Sequence, residues 1–336
     1  MPAKGRYRYM LYQAPYEIVS EQHFLSLPGL VDDSHVYLKL EGLNLAGSIK
    51  LKAAAAMVED AERSGRLAPG GHIIESSSGS LGFALAMIAA AKNYVFTCVV
   101  DPNISHTSLS AIRAFGARVL AVDRVDSNGG YLQSRLDAVQ RCVKADPAIV
   151  WLNQYSNPAN PAAHSTGTAM EILNQFQRVD YLFVGVGTAG TFAGCVDRFR
   201  NNSPFTHIVA VDSMGSVTFG GQAASRRIPG LGASRRPPLY EGDYAHRQIQ
   251  VPEADAIRCC RMLARRYGYL AGGSTGSIIA AVIATRDMFE ADSTVVALAP
   301  DVGDRYFDTI YNDSWVRASY GFEVLSPIES ESEVGA

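Results

Sequence analysis

A chain of 336 residues, 47% hydrophobic and 19% charged, has globular make-up and length for two domains. Its formal net charge of -3 offers no basic field for nucleic acid or anionic lipid, and no apolar run reaches the ~18 residues of a membrane span. The basic N-terminal stretch has no apolar core behind it, so no secretory signal is expected. Five cysteines (Cys98, Cys142, Cys195, Cys259, Cys260) lack paired metal spacing, which predicts small buried hydrophobes, no metal site and a cytoplasmic location.

Apolar, β-branched runs predict strands at 35–41, 72–75, 95–101, 118–122, 149–152, 181–185, 207–212 and 294–299. Helical periodicity falls between them, at 50–64, 79–92, 107–115, 130–143, 163–176, 254–267 and 274–289. The alternation predicts an α/β fold of parallel sheets flanked by helices, with two sheets more plausible than one very wide sheet. Asn157-Pro-Ala-Asn-Pro161 interrupts the pattern. It sets a smaller, mobile domain at 50–155 against a larger one made from 1–49 and 156–325. The stretch 213–250, rich in glycine, proline and arginine, reads as a functional loop. The serine- and glutamate-rich tail 326–336 is expected to be disordered.

Strand-to-helix turns hold the candidate chemistry. Lys50 ends the run Glu41-Gly-Leu-Asn-Leu-Ala-Gly-Ser-Ile-Lys50, at the start of a long helix. Glu75-Ser-Ser-Ser-Gly-Ser-Leu-Gly82 offers hydroxyls and backbone N–H groups to a carboxylate, although serine capping alone produces the same pattern. In Gly185-Val-Gly-Thr-Ala-Gly-Thr191, small residues let N–H groups converge where a helix N-terminus favours a dianion. Thr188 and Thr191 add hydroxyls. The rival reading is a dinucleotide fingerprint, with Asp212, about 20 residues on, as its acid. Ser274, in Gly272-Gly-Ser-Thr-Gly276, is either an N-cap or a site residue. An amine beside a polar turn and a phosphate-cradling turn is the layout of a pyridoxal-phosphate site.

Taken together, these residues resemble the fold-type II pyridoxal-phosphate enzymes of the cysteine synthase and cystathionine β-synthase family, over roughly 15–315. Asn44-Leu-Ala-Gly-Ser-Ile-Lys50 is similar to the family's Asn-Pro-x-Gly-Ser-x-Lys, which implies Lys50 as Schiff-base lysine in a tryptophan synthase β-like fold. By the same resemblance Ser77, Ser78, Gly79 and Leu81 fall on the substrate-carboxylate loop, and Gln154 on a second carboxylate contact. Gly187, Thr188, Ala189, Gly190 and Thr191 fall on the cofactor phosphate loop, and Ser274 beside the pyridine nitrogen. Such a serine, unlike a carboxylate, is not expected to keep that nitrogen protonated. Four positions depart from the family pattern. Ser80 stands where an asparagine meets the cofactor, Leu51-Lys52 where Asp-Arg follows the lysine, and Leu45 where proline is usual.

A narrower likeness is carried by Asn153-Gln-Tyr155, Gly215-Ser-Val217, Pro229-Gly-Leu-Gly-Ala-Ser-Arg235 and Pro300-Asp-Val-Gly-Asp-Arg-Tyr306. It resembles the branch of N-(2-amino-2-carboxyethyl)-L-glutamate synthases, which supply 2,3-diaminopropionate to the siderophore staphyloferrin B, relatives feeding peptide antibiotics. The implied reaction is β-replacement. Lys50 takes the α-proton, O-phospho-L-serine loses phosphate to an aminoacrylate, and the amine of L-glutamate adds. Arg235, in an arginine-rich loop with Arg226, Arg227 and Arg236, is expected on the leaving phosphate. Tyr155 is expected in the second-substrate pocket, and His164 in a helix-surface or structural role. A cysteine synthase using O-acetyl- or O-phosphoserine with sulfide, β-replacement with another amine, a non-catalytic binding protein and an NAD-dependent dehydrogenase stay open. The family's habit implies a homodimer acting on small amino acids.

Overall fold

The computed structural model describes residues 12–19, 22–77, 79–126 and 129–326. Ser78 and the tail from 327 onward therefore lie outside the described residues. Strands β1 (Phe24–Ser26) and β2 (Ser34–Leu40) come first. Alternating elements follow: α1 (Lys50–Arg63), β3 (His72–Ser76), α2 (Ser80–Lys92), β4 (Val95–Val100), α3 (His106–Ala114), β5 (Arg118–Ala121), α4 (Leu132–Ala145) and β6 (Ile149–Trp151). Next, α5 (Ala159–His164), a π-helical turn (Ser165–Ala169) and α6 (Met170–Gln175) form one unbroken helical stretch. The chain continues through β7 (Tyr181–Gly185), α7 (Gly190–Asn202), β8 (His207–Ser213), β9 (Arg247–Val251), α8 (Glu253–Tyr267), α9 (Gly273–Ala284), β10 (Ser293–Ala299) and α10 (Asp313–Tyr320).

Among the described residues the strands form two sheets. One has six strands in the order β1-β2-β10-β7-β8-β9; the other has four, β5-β4-β3-β6. All pairings are parallel except β1 with β2. Parallel strands need covering on both faces, and two helices supply the most apolar cover. Helix α2 buries Leu81, Ala84, Leu85 and Ile88 in the core of the smaller sheet, while α9 buries Ile278, Ile279, Ala281 and Val282 in that of the larger. Helix α2 stops at Asn93, which adopts a left-handed conformation suited to asparagine. Helix α8 opens on Glu253 and Asp255 and closes on Arg265, Arg266 and a left-handed Gly268, complementing its dipole at both ends.

Two strands escape the sequence expectations. β1 is only three residues long, and its antiparallel pairing corrects the purely parallel reading. β9 overlaps the end of the stretch expected to be loop, where Arg247-Gln-Ile-Gln-Val251 alternates as an edge strand does. Helix α10 is also new; Asn312 caps it by accepting from the Trp315 N–H. The carboxyl ends of β3, β6, β7 and β10 lead into the segments that surround Lys50. Ligands of open α/β sheets bind outside such ends.

Candidate active site

Lys50 is the first residue of α1, and the loop before it is rigidly braced. Asn44 Nδ2 donates to the carbonyls of Glu41 (2.9 Å) and Ser48 (3.0 Å), Gly47 turns at φ +64°, and Ile49 N–H donates to Pro300 O at 2.7 Å. Desolvation pushes the Lys50 amine down from 10.5 to about 8. The Leu51-Lys52 departure has a physical account. Leu51 fills the smaller core, while Lys52 Nζ turns to Glu41 (3.0 Å) and Glu171 (2.9 Å). Glu171 also holds Lys39 Nζ at 2.7 Å. This buried cluster ties α1 to β2 and α6.

A narrow cavity of about 60 Å³ is lined by Lys50, Ser80, Gly187, Thr188, Ala189, Gly190, Thr191, Ser274 and Asp301. Its turn, between β7 and α7, places Ala189 at φ +69°, an arrangement that gathers backbone N–H groups. Close packing demands its glycines. A Cβ on Gly187 would stand 2.7 Å from Gly230 O, and one on Gly190 would collide with the Asn160 side chain. Thr188 Oγ1 is buried with no hydrogen-bond partner among the described residues. Thr191 Oγ1 lies 3.3 Å from His164 Nε2. His164 is fully buried, not at a helix surface, and its other nitrogen faces Thr168 Oγ1 at 3.3 Å. Burial, then the charges of Lys50 and Lys52, push it well below its usual value, so it is neutral. Ser80 begins α2 and accepts from Arg305 Nη1 at 3.4 Å; Arg305 also donates to Ala46 O at 2.6 Å.

Lys50, Gly187, Thr188, Gly230 and Leu231 also line a second, wider cavity of about 500 Å³. Ser77, Gly79, Gln154, Tyr155 and Arg235 line it as well. Ser77 Oγ accepts from Gly82 N–H at 2.9 Å, and Gln154 Nε2 donates to Ser76 O at 2.8 Å, so both brace the loop. Beneath them Glu75 is fully buried and raised to about 7 by desolvation; it accepts from the N–H groups of Ser76 and Gln154. Desolvation also raises the Tyr155 phenol. Arg135 on α4 lines the same cavity, paired with Asp101 at 3.1 Å, and the sequence reading missed both. Arg226 and Arg236 line the cavity too, and exposed Arg235 reaches Gln133 Oε1 at 3.4 Å. Arg227 does not line it; its backbone N–H donates to Glu253.

Two sequence expectations change here. Leu81 lines neither cavity, its side chain being 2% exposed in the smaller core. Asp212 also lines neither; it is buried, raised by desolvation, and accepts from Ser213 N–H at 2.7 Å. The dinucleotide reading thereby loses its acid.

The sequence matches the family model described as pyridoxal-phosphate dependent enzyme over residues 19–301. The chain belongs to the pyridoxal-phosphate dependent enzymes. Its curated relatives include the N-(2-amino-2-carboxyethyl)-L-glutamate synthases of Ralstonia nicotianae, 44% identical, and Cupriavidus metallidurans, 42% identical; each match spans 84% of both chains. Among solved structures, O-ureido-L-serine synthase superposes with a TM-score of 0.83 at 29% identity, covering 91% of this chain and 99% of that one. An O-acetylserine dependent cystathionine beta-synthase from Helicobacter pylori gives 0.84 at 25%, covering 90% and 100%.

As a pyridoxal-phosphate dependent enzyme the chain has residues that suit the cofactor. The unpartnered Thr188 hydroxyl and the glycine turn at α7 fit a phosphate group, Lys50 supplies an amine of lowered basicity, and Ser274 faces the same cavity. Among the described residues no cluster of metal-binding side chains occurs, and no helix is long and apolar enough to cross a membrane.

Proposed function

We propose that this enzyme is a β-replacement synthase that expels phosphate from O-phospho-L-serine and adds the amine of L-glutamate. The product would be N-(2-amino-2-carboxyethyl)-L-glutamate, a 2,3-diaminopropionate precursor. One observation carries the substrate reading: the wide cavity reached from Lys50 is lined by Arg135, Arg226, Arg235 and Arg236, with Asp101 as the one carboxylate among the described residues. Sulfide needs neither the volume nor the cations. Two carboxylates and a departing phosphate need both. The curated relatives, by their names, point the same way.

Bound pyridoxal phosphate supplies the electron sink for breaking the Cα–H bond and the Cβ–O bond. Lys50, lowered to about 8, holds the cofactor when neutral and then takes the α-proton on Nζ. Gly187, Thr188, Ala189, Gly190 and Thr191 hold the cofactor phosphate, while Ser80 and Ser274 flank its ring. Ser77, Ser78, Gly79 and Gln154 receive the substrate carboxylate, the Leu81 segment contributing backbone alone. Arg135 and Arg235 draw off phosphate with the electron pair of the Cβ–O bond; the neutral amine of glutamate then bonds to Cβ beside Tyr155 and sheds a proton, and Lys50 Nζ returns the α-proton to Cα.

We further assign 50–155 to a smaller domain that closes over the substrate, the rest forming the larger one. The assembly is a homodimer by the family resemblance, and the free state of all five cysteines supports a cytoplasmic setting. The test is release of inorganic phosphate from O-phospho-L-serine. Glutamate should accelerate it in proportion to product formed; release indifferent to glutamate would contradict the proposal.

A further inference from the structure

Arg305 stands on a short helical turn (Gly303–Tyr306) after β10 of the larger sheet, yet its guanidinium reaches the start of α2, which covers the smaller sheet. Three contacts seat that group. Nη2 donates to Ala46 O at 2.6 Å, in the loop before Lys50. Cζ lies 4.7 Å from the centre of the Phe83 ring, and Nη1 donates to Ser80 Oγ at 3.4 Å. Gly47 leaves the room, since a Cβ there would stand 3.0 Å from Nη2. The Phe83 ring is itself packed edge-to-face on Phe115, with centroids 5.4 Å apart. A planar cation fixed by a ring face and a carbonyl is set in direction as well as in place. Arg305 lines neither cavity, whereas Ser80 lines the narrow one with Lys50.

A guanidinium carries donors and no acceptor, so it meets Ser80 Oγ only as an acceptor. The serine hydroxyl has one hydrogen, and Oγ makes no other hydrogen bond among the described residues. That hydrogen is therefore excluded from the arginine side and left for the cavity. A positive charge one hydrogen bond behind also polarises the O–H and makes it a stronger donor.

With Lys50 on the cofactor's aldehyde carbon and the turn at α7 on its phosphate, the ring oxygen beside the aldehyde, the 3′-oxygen, still needs a donor. We propose that Arg305 is a positioning residue that commits Ser80 as hydrogen-bond donor to that 3′-oxygen. This rests on the reading of Ser80 as flanking the cofactor's ring. It also gives a physical reason why serine serves where the family has asparagine. The arginine behind the hydroxyl supplies an orientation that an amide, with its donors fixed on nitrogen, does not need. A donor there stabilises the oxygen in its charged form.

The readout is the absorbance of bound cofactor, whose charged 3′-oxygen gives a visible band and whose neutral one gives a near-ultraviolet band. Holoenzyme spectra at one pH compare wild type, Ser80→Ala, Arg305→Met and the double variant. Arg305→Met should lower the visible-to-ultraviolet ratio roughly 2- to 10-fold, the effect of one hydrogen bond. Ser80→Ala should lower it at least as far, and the double variant no further than Ser80→Ala. An unchanged ratio in Arg305→Met beside a fall in Ser80→Ala, or an equal fall from Arg305→Met with and without Ser80, would overturn the proposal. If Ser80→Ala itself leaves the ratio in place, the reading of Ser80 fails instead, and this inference with it. Should Arg305→Met not retain cofactor, Arg305→Lys decides. Its single ammonium is drawn to Ala46 O, the shorter of the two contacts. The ratio should again fall, and no change would count against Arg305.

Discussion

The two cavities that meet at Lys50 are built by opposite means. The narrow one is walled by turns: glycines with no room for a Cβ, an alanine in a left-handed conformation, and hydroxyls at or within two residues of a helix start. The wide one is walled by long side chains from distant elements, among them Arg135 on α4 and Arg226, Arg235 and Arg236 on the loop before β9. Turn geometry is dictated by neighbouring residues, so the narrow cavity tolerates little change. The wide one depends on tertiary placement and is where the proposed reaction puts substrate choice.

Breaking the junction should have the largest effect. Lys50→Ala should abolish the visible band of covalently held cofactor and lower turnover by about 10³-fold or more, as expected for loss of a proton-transferring group. Borohydride-reducible cofactor persisting in that variant would contradict the anchor role. In the narrow cavity, Gly187→Ala sets a methyl 2.7 Å from Gly230 O. Overpacking of this kind costs ~1–3 kcal/mol. Titration should show cofactor affinity falling roughly 5- to 150-fold, with the fold retained by circular dichroism.

The wide cavity should respond by substrate, not by cofactor. Arg135→Met should raise the KM for O-phospho-L-serine about 10-fold or more and leave O-acetyl-L-serine nearly unchanged, because a partly buried cation is lost. Arg235→Ala should do the same more weakly, about threefold, since its exposed guanidinium is screened by water. Equal losses for both substrates would deny these arginines a phosphate role.

A further effect is one of pH and belongs to the shared lysine. Burial lowers Lys50, so its neutral amine accumulates as pH rises through about 8. Attachment of pyridoxal phosphate to the apoprotein should therefore quicken about tenfold from pH 7 to 9 and then level off. A rate still climbing steeply at pH 10 would mean an ordinary surface amine.

The same contrast explains what was legible in the amino-acid order. Lys50, Gly187–Thr191 and Ser274 stand in short runs whose spacing encodes a strand, a turn and a helix start. Arg135 and Asp101 come from different elements, and only folding brings them to 3.1 Å. Of the two roles open to His164 the structural one holds, because one face of a short helix at a π-helical turn packs inward against the phosphate-side turn. Leu81 sat in a substrate-loop motif, yet it is already the second residue of α2 and faces the core. Strand β9 was hidden by its polar residues, which an edge strand leaves in water.

The central claim is that the wide, arginine-lined cavity selects an amino-acid nucleophile. Offering the holoenzyme O-phospho-L-serine with equimolar L-glutamate, sulfide and ammonia, and weighing the products by mass spectrometry, tests it most directly. N-(2-amino-2-carboxyethyl)-L-glutamate should dominate; cysteine as the main product would contradict the account and return the enzyme to cysteine synthesis.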